Sequence, residues 1–406
     1  MRMNNRERYL NTLKFRPADK IPLQPGHPRE STLKRWRAEG LPEGADWFRF
    51  VMETLGIDYE YPREPANHHV NTRMIPVFEE KVLEHSNGHY IVQDWMGAVT
   101  EISDRYDYTY IRNAVDFVTR KWHRFPVQTR EDWLEMKKRY DARAPERYPE
   151  NMGALKAEMA GRDYISQLSI NGPFWQMREW LGFEGLCIAF MDEPGLVAEM
   201  ADFWRGFGLA VIETAAAQIP IDSIFISEDM AFKAHPMISP ALAREYLLPV
   251  YIDWIKAARK HGVQLIDMDS DGYIDDLIPL WIEAGFDVCD PIEVAAHNDI
   301  ALYRRKYGES IAYTGGIDKR AIAAGGEVMR AEVMRVTAPF LGGGGLGGSS
   351  LGGSGLGGGS LGSNNLGGSS LGGGLIPGCD HGVPHDISLP NYIEYVRLLA
   401  QLTGWL

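Results

Sequence analysis

Gly315-Gly316-Ile317-Asp318-Lys319-Arg320 and Pro377-Gly378-Cys379-Asp380-His381-Gly382-Val383-Pro384 each follow a short apolar run, Ile311-Ala312-Tyr313 and Leu375-Ile376. Such runs read as buried strands. A buried parallel strand that ends in glycines and polar residues is where a (β/α) barrel keeps its chemistry. Function is therefore expected at the strand ends.

Working outward, the second half alternates strand and helix. Strands are expected at Ile165–Ile170, Ser223–Ser227, Val263–Asp267, Phe286–Cys289, Ile311–Thr314 and Leu375–Pro377. The helical patterns between and after them are Trp175–Phe190, Pro240–His261, Tyr273–Ala284, Asp299–Tyr307, Asp318–Phe340 and Pro390–Leu402. One helix per strand implies parallel pairing with right-handed crossovers. No G-x-G-x-x-G follows an early strand, which argues against a dinucleotide-binding sheet. The first half is less regular. Arg6–Leu13 reads as a helix and Ile21-Pro22-Leu23 as the first barrel strand. Asn87-Gly88 is a two-residue hairpin signal, and Ile111–His123 reads as further strand. Residues 60–125 are expected to elaborate the barrel mouth.

The segment 341–374 places leucine at every fifth position, from Leu341 to Leu371, among Gly, Ser and Asn. It reads either as a five-residue-repeat solenoid or as a flexible glycine-rich insertion, and the second is favoured because ordering glycine costs the most backbone entropy. A helix-to-strand connection lies at the barrel face away from the active site. The whole of 1–406 is expected to form one barrel domain, with this insertion before the last strand.

At 406 residues and a net charge of −13, the chain is a poor match for nucleic acid or an anionic membrane. No apolar run reaches the length of a membrane span, and the N-terminus lacks the apolar core of a signal peptide. Three scattered cysteines, Cys187, Cys289 and Cys379, make no disulfide framework, which suits a reducing cytoplasm.

Polar clusters fall just past the expected strands: Glu228 and Asp229 with Lys233; Asp269, Asp271 and Gly272; Asp290 and Glu293; Asp318 and Arg320; Cys379, Asp380 and His381. Asp269 and Asp271 have one residue between them, so an extended chain points both to one side. That suits a metal or a cationic group; the plainer reading is a solvated Asp-Gly turn. Cys379 and His381 share the spacing and offer softer ligands; the plainer reading is a packed thiol and a loop histidine. Asp318 and Arg320 can equally pair with each other and cap a helix. Asp269, Asp271, Glu293, Asp318 and His381 are expected to share one cleft.

Several stretches together resemble the uroporphyrinogen decarboxylase superfamily, which also contains corrinoid- and thiol-directed methyltransferases. They are Arg6–Leu23, Asn171-Gly172-Pro173-Phe174, Ile238–Pro249, Ser270–Asp287, Gly315–Arg320, and Gly378–Pro384 with Asn391. The resemblance implies a (β/α)8 barrel with its cleft at the strand C-termini. The decarboxylases hold substrate carboxylates with arginines after the first strand. Here His27 stands at the first such position and only Arg29 is near. The zinc motif of the methyltransferases falls on Asp269-Ser270-Asp271-Gly272, and its late cysteine on His381 or Cys379. The resemblance therefore implies methyl transfer, with a corrinoid protein as partner and a divalent metal, zinc or manganese, on Asp269, Asp271, Cys379 and His381. Asp229, Asp318, Arg320 and His381 are the catalytic candidates. His27, Arg29, Phe174, Lys233 and Glu293 are the substrate-binding ones. The alternatives are a cofactor-free carboxy-lyase, with Asp229 protonating a pyrrole and Arg29 holding a carboxylate, and a non-catalytic small-molecule or corrinoid-binding module.

Overall fold

The computed structural model describes residues 2–59, 66–67, 70–109, 118–341 and 372–406. Seven strands, β1 (Ala66–Asn67), β6 (Ser166–Asn171), β7 (Ser223–Ser227), β8 (Leu265–Asp269), β9 (Val288–Asp290), β10 (Ala312–Ile317) and β11 (Leu375–Cys379), pair in that order as one parallel sheet. The order follows the chain because each strand is returned to its neighbour by helix. Four others, β2 (Lys81–Ser86), β3 (His89–Gln93), β4 (Val99–Ser103) and β5 (Arg120–Arg124), form an antiparallel sheet.

Side chains alternate along the parallel strands. In β6, Ser166, Leu168 and Ile170 are buried against helices while Gln167, Ser169 and Asn171 are half-buried on the other face. The same alternation turns Phe225, Asp267, Asp269 and Thr314 inward. The apolar outer face packs on a continuous core that includes Trp180, Trp204, Trp254, Trp281 and Tyr395.

Ile21-Pro22-Leu23 does not form the expected strand. Pro22 and Pro25 deny it ladder donors. The segment is held instead from Ile21 N–H to the Thr403 carbonyl at 3.1 Å and from Leu23 N–H to the Tyr59 hydroxyl at 3.2 Å. Beyond it the chain runs beside β11. Cys379 N–H donates to the Pro25 carbonyl and Val383 N–H to the His27 carbonyl, and Pro28 bridges Val383 in parallel.

Asn87-Gly88 makes the expected hairpin. Ser86 pairs with His89, and both turn residues have positive φ, 53° and 76°. Part of the strand expected at 111–123 appears as β5; residues 111–117 lie outside the described residues. Most of the 341–374 segment, 342–371, also lies outside them. Its two ends are part of the fold: Gly372 N–H meets the Phe340 carbonyl at 2.5 Å, and Gly374 N–H meets the Thr12 carbonyl at 2.6 Å. The pattern expected as one helix over 318–340 breaks at Gly325 into Lys319–Ala324 and Gly326–Thr337. No described helix is long and apolar enough to cross a membrane.

Candidate active site

Residues from six parallel strands and from 23–27 line one cavity of about 660 Å³. The sheet therefore curls round an interior space that opens toward the strand ends. Asp229, Asp267, Asp269, Asp271 and Asp290 all line it, with His27 and His381, the aromatic rings of Tyr9, Phe225, Trp47 and Phe48, and Thr314. Among the described residues no lysine or arginine lines it.

Three of the aspartates sit at alternate positions, 267, 269 and 271, on the inward side of β8 and its continuation. Asp271 is set by its neighbours: its N–H donates to Asp229 Oδ1 at 3.0 Å, and its Oδ2 lies 3.3 Å from His381 Nε2. His381 Nδ1 faces two donors, Gly382 N–H at 2.7 Å and Arg29 Nη2 at 3.2 Å. Both groups can only donate, so the neutral ring carries its proton on Nε2, toward Asp271. The Asp271 hydrogen bond raises His381 above its ordinary value, opposed by burial, Lys319 and Arg29.

Four of these aspartates, Asp229, Asp267, Asp269 and Asp290, are raised above their ordinary value. Burial pushes Asp267 up to about 7, helped by Asp287 and Asp290. Burial raises Asp269 well above the carboxylate range, with Asp290, Asp229 and Asp271 adding like charge. Asp290 and Asp229 are raised for the same first reason. Thr314 donates its hydroxyl to Asp290. Next to the cavity, Glu228 is fully buried and accepts from Phe174 N–H at 3.0 Å, Trp175 N–H at 2.8 Å and the Tyr251 hydroxyl. It thereby caps the helix Pro173–Asp192, and burial pushes it up to about 7.

The structure gathers Asp229, Asp269, Asp271, Cys379, His27 and His381 on the cavity and puts Arg29 against His381. It places the others elsewhere. Asp318 and Arg320 bind each other, with Nη2 2.7 Å from Oδ2, and Asp318 caps the following helix, so they leave the cleft expected for them. Glu293 Oε2 accepts from Gly272 N–H at 3.1 Å, with Lys319 at 3.7 Å, and does not line the cavity. Phe174 is 1% exposed and belongs to the core, not to a substrate surface. Lys233 is exposed on the turn closed by Phe232 N–H and the His235 carbonyl. Among the described residues none of the antiparallel sheet lines the cavity.

The metal set fares similarly. Among the described residues no three His, Cys, Asp or Glu side chains stand as a metal-ligand group. Asp271 Oδ2 and His381 Nε2 lie 3.3 Å apart, but Asp269 and Cys379 do not complete a ligand group with them. This donor set does not fit zinc or manganese.

Missed at the sequence level were Gln167, Asp267 and Thr314, all inside strands, and the aromatic walls Tyr9 and Trp47. The period-two alternation through Asp267-Met268-Asp269 was the available signal.

No protein-family model and no curated protein matches the sequence. Among solved structures, the fold is similar to that of a methyltransferase from Methanosarcina mazei, with a TM-score of 0.54 and 13% identity. The likeness covers 98% of this chain and 99% of that one. At that identity it speaks for the fold.

Proposed function

We propose that the chain is a (β/α)8-barrel enzyme that transfers a methyl group from a small donor inside the aspartate-lined cavity. The eighth barrel position is taken by residues 24–29, which run beside β11. The observation that carries the reading is the wall itself: five aspartates, no lysine or arginine among its described residues, and burial that raises Asp267, Asp269, Asp290 and Asp229 above the ordinary carboxylate value. When a methyl group leaves a neutral ether, amine or thioether, the oxygen, nitrogen or sulfur keeps the bonding pair as an anion and takes up a proton. A carboxyl group with a raised pKa supplies one near neutrality. Asp269 is assigned as the acid, its charged form disfavoured first by burial and then by Asp290, Asp229 and Asp271. His381, steered by Asp271, Gly382 and Arg29, binds the donor at the mouth. The acceptor reaches the methyl group past His27 and Trp47; a corrinoid protein is the acceptor suggested by the family resemblance. A polycarboxylate such as uroporphyrinogen would find no lysine or arginine among the described lining residues to pair with its charges.

The second reading, a carboxy-lyase acting on a monocarboxylate, draws on Arg29 at the rim beside His381. One experiment separates the two. Methyl-labelled ethers, amines and thioethers are incubated with the protein and reduced cobalamin, and the label is followed by NMR. Label on cobalt is expected, with Asp269→Asn slower by roughly 10²-fold. Carbon dioxide release from a carboxylate, or coproporphyrinogen from uroporphyrinogen, without methyl transfer would sink the first reading. Any turnover excludes a pure binding module.

A further inference from the structure

The helix Asn5–Leu13 closes the parallel sheet from below. Arg6 N–H donates to the Asp163 carbonyl at 2.8 Å, and Arg6 Nη2 to Asp222 Oδ1 at 2.7 Å. Lys14 Nζ donates to the Gln264 carbonyl at 3.3 Å, and the Thr12 carbonyl accepts from Gly374 N–H at 2.6 Å. Asp222, Gln264 and Gly374 stand immediately before β7, β8 and β11, and Asp163 lies just before β6. The helix therefore crosses the strand starts. Tyr9, from its middle, lines the cavity at the end away from Asp271 and His381.

Tyr9 is 9% exposed, yet among the described residues its hydroxyl makes no hydrogen bond. Nor is that oxygen sealed in, as the partnerless hydroxyls of Tyr313 and Tyr395 are; it faces the cavity. A tyrosine this buried normally finds a partner for its hydroxyl. Burial, with Asp267 and Asp290, raises Tyr9 well above its ordinary value, so the group is a neutral phenol. Gln167 borders on the same Asp267: its Nε2 donates to Asp267 Oδ2 at 3.5 Å, and its Oε1 has no partner among the described residues. The free polar atoms at this end are thus uncharged. Asp267 offers a cation little, since Oδ1 is sealed from the cavity and Oδ2 is occupied by Ser223 Oγ at 2.6 Å and by Gln167. An anion finds no lysine or arginine among the described lining residues. A buried charge without a partner costs far more than an uncharged polar group that is hydrogen-bonded. At the level of Asp267 the neighbouring strands present Phe225 and Val288.

We infer that the cavity floor is a subsite for the uncharged amide end of a substrate: the Tyr9 hydroxyl donates to the amide carbonyl, Gln167 Oε1 accepts the amide N–H, and the attached alkyl chain lies against Phe225 and Val288. An amide supplies one acceptor and one donor, which matches the two free groups. The inference rests on the cavity being the substrate site and names the substrate class. Asp269 lies two residues beyond Asp267 on β8, about 7 Å toward the mouth, so the reacting end of the substrate stands about that far from its amide.

The test uses three probes with one chain length: hexanamide, hexanoate and hexylammonium. Binding to the full chain is measured by calorimetry at about pH 7. Hexanamide should bind at least about tenfold more tightly than either ion. Tyr9→Phe keeps the ring and removes the hydroxyl. It should weaken hexanamide about three- to tenfold, the usual worth of one hydrogen bond. Infrared spectra of hexanamide labelled with carbon-13 at the carbonyl read that bond directly: the bound band should move to higher frequency in Tyr9→Phe. Circular dichroism shows whether the variant is folded; if it is not, the ranking of the three probes on the unaltered protein decides alone. Equal affinity for the three probes, tighter binding of either ion, no binding of hexanamide, or an affinity or carbonyl band unmoved in Tyr9→Phe overturns the subsite. Methyl transfer without the amide preference removes the subsite and leaves the proposed function standing. The amide preference without methyl transfer does the reverse.

Discussion

Asp267 makes stability depend on pH in a direction opposite to that of a paired surface carboxylate. Its folded pKa is raised by burial to about 7, whereas the unfolded chain releases the proton near 4. The folded state therefore holds a proton that the unfolded state gives up, and the stability this contributes is complete below pH ~4 and lost as pH rises through about 7. A shift of this size corresponds to at most about 4 kcal/mol. Melting temperature should fall between about pH 4 and 7, and less steeply in Asp267→Asn. Glu228, Asp269 and Asp290 are raised too, so the fall is reduced rather than abolished. Parallel curves for the two proteins would show that Asp267 ionises freely. The residue also shows how the sequence misleads. Ending the strand at 267 left Asp267 out of the candidates and put Asp269 and Asp271 just past the strand. The observed strand is two residues later, so one run of alternate aspartates continues from the floor to the mouth. Asp271 and His381 were legible because glycine and a second polar group mark them as loop-end residues. Phe174 was not, since a phenylalanine after Gly-Pro reads alike as wall or core.

At the level of elements, a buried side chain from one strand end holds the start of a helix laid down by another. The helix Pro173–Asp192 has no side-chain cap of its own; its first amides are taken by Glu228, from the residue after β7. Gly172 permits this approach, since a Cβ there would stand 2.2 Å from the Glu228 carboxyl carbon. Gly172→Ala should therefore displace the carboxylate, free two amides and the Tyr251 hydroxyl, and cost about 3 kcal/mol. The denaturation midpoint measures it, and a loss under about 0.5 kcal/mol would mean that Glu228 moves without penalty. The helix Pro194–Gln218 escaped the sequence reading altogether. It lies between the helices Pro173–Asp192 and Leu248–Lys260, and it is apolar on several sides, so it lacks a single stripe. Its contacts are close: Gly208 faces the Trp254 ring, and Trp204 Nε1 donates to the Asn171 carbonyl at 2.8 Å.

Across the whole molecule, the parallel sheet was legible because each strand is a short apolar run between helical patterns. The antiparallel sheet was only partly so: β2 is exposed along its full length, and without a buried face only the Asn87-Gly88 turn marks it. The same contrast governs the glycine-leucine segment. Leu341 packs against the core, and Gly374 N–H and C=O bind Thr12 and Tyr313, so these positions serve the parallel sheet and its core. Removing all of 341–374 would cut those contacts. The thirty residues 342–371 are a different matter, because the chain leaves at Leu341 and returns at Gly372, whose N–H reaches the Phe340 carbonyl. These roots lie where β10 and β11 begin, and Asp271, His27 and His381 sit at the opposite, strand-end side. Replacing 342–371 by about three residues should therefore keep both fold and activity. Loop entropy grows with the logarithm of length, so stability should rise by about 2 kcal/mol at most. Melting temperature and turnover of the shortened protein beside the parent decide it. Lost folding would mean that the repeated leucines build a core of their own. Retained folding with lost turnover would mean that the segment reaches the cavity or the methyl acceptor.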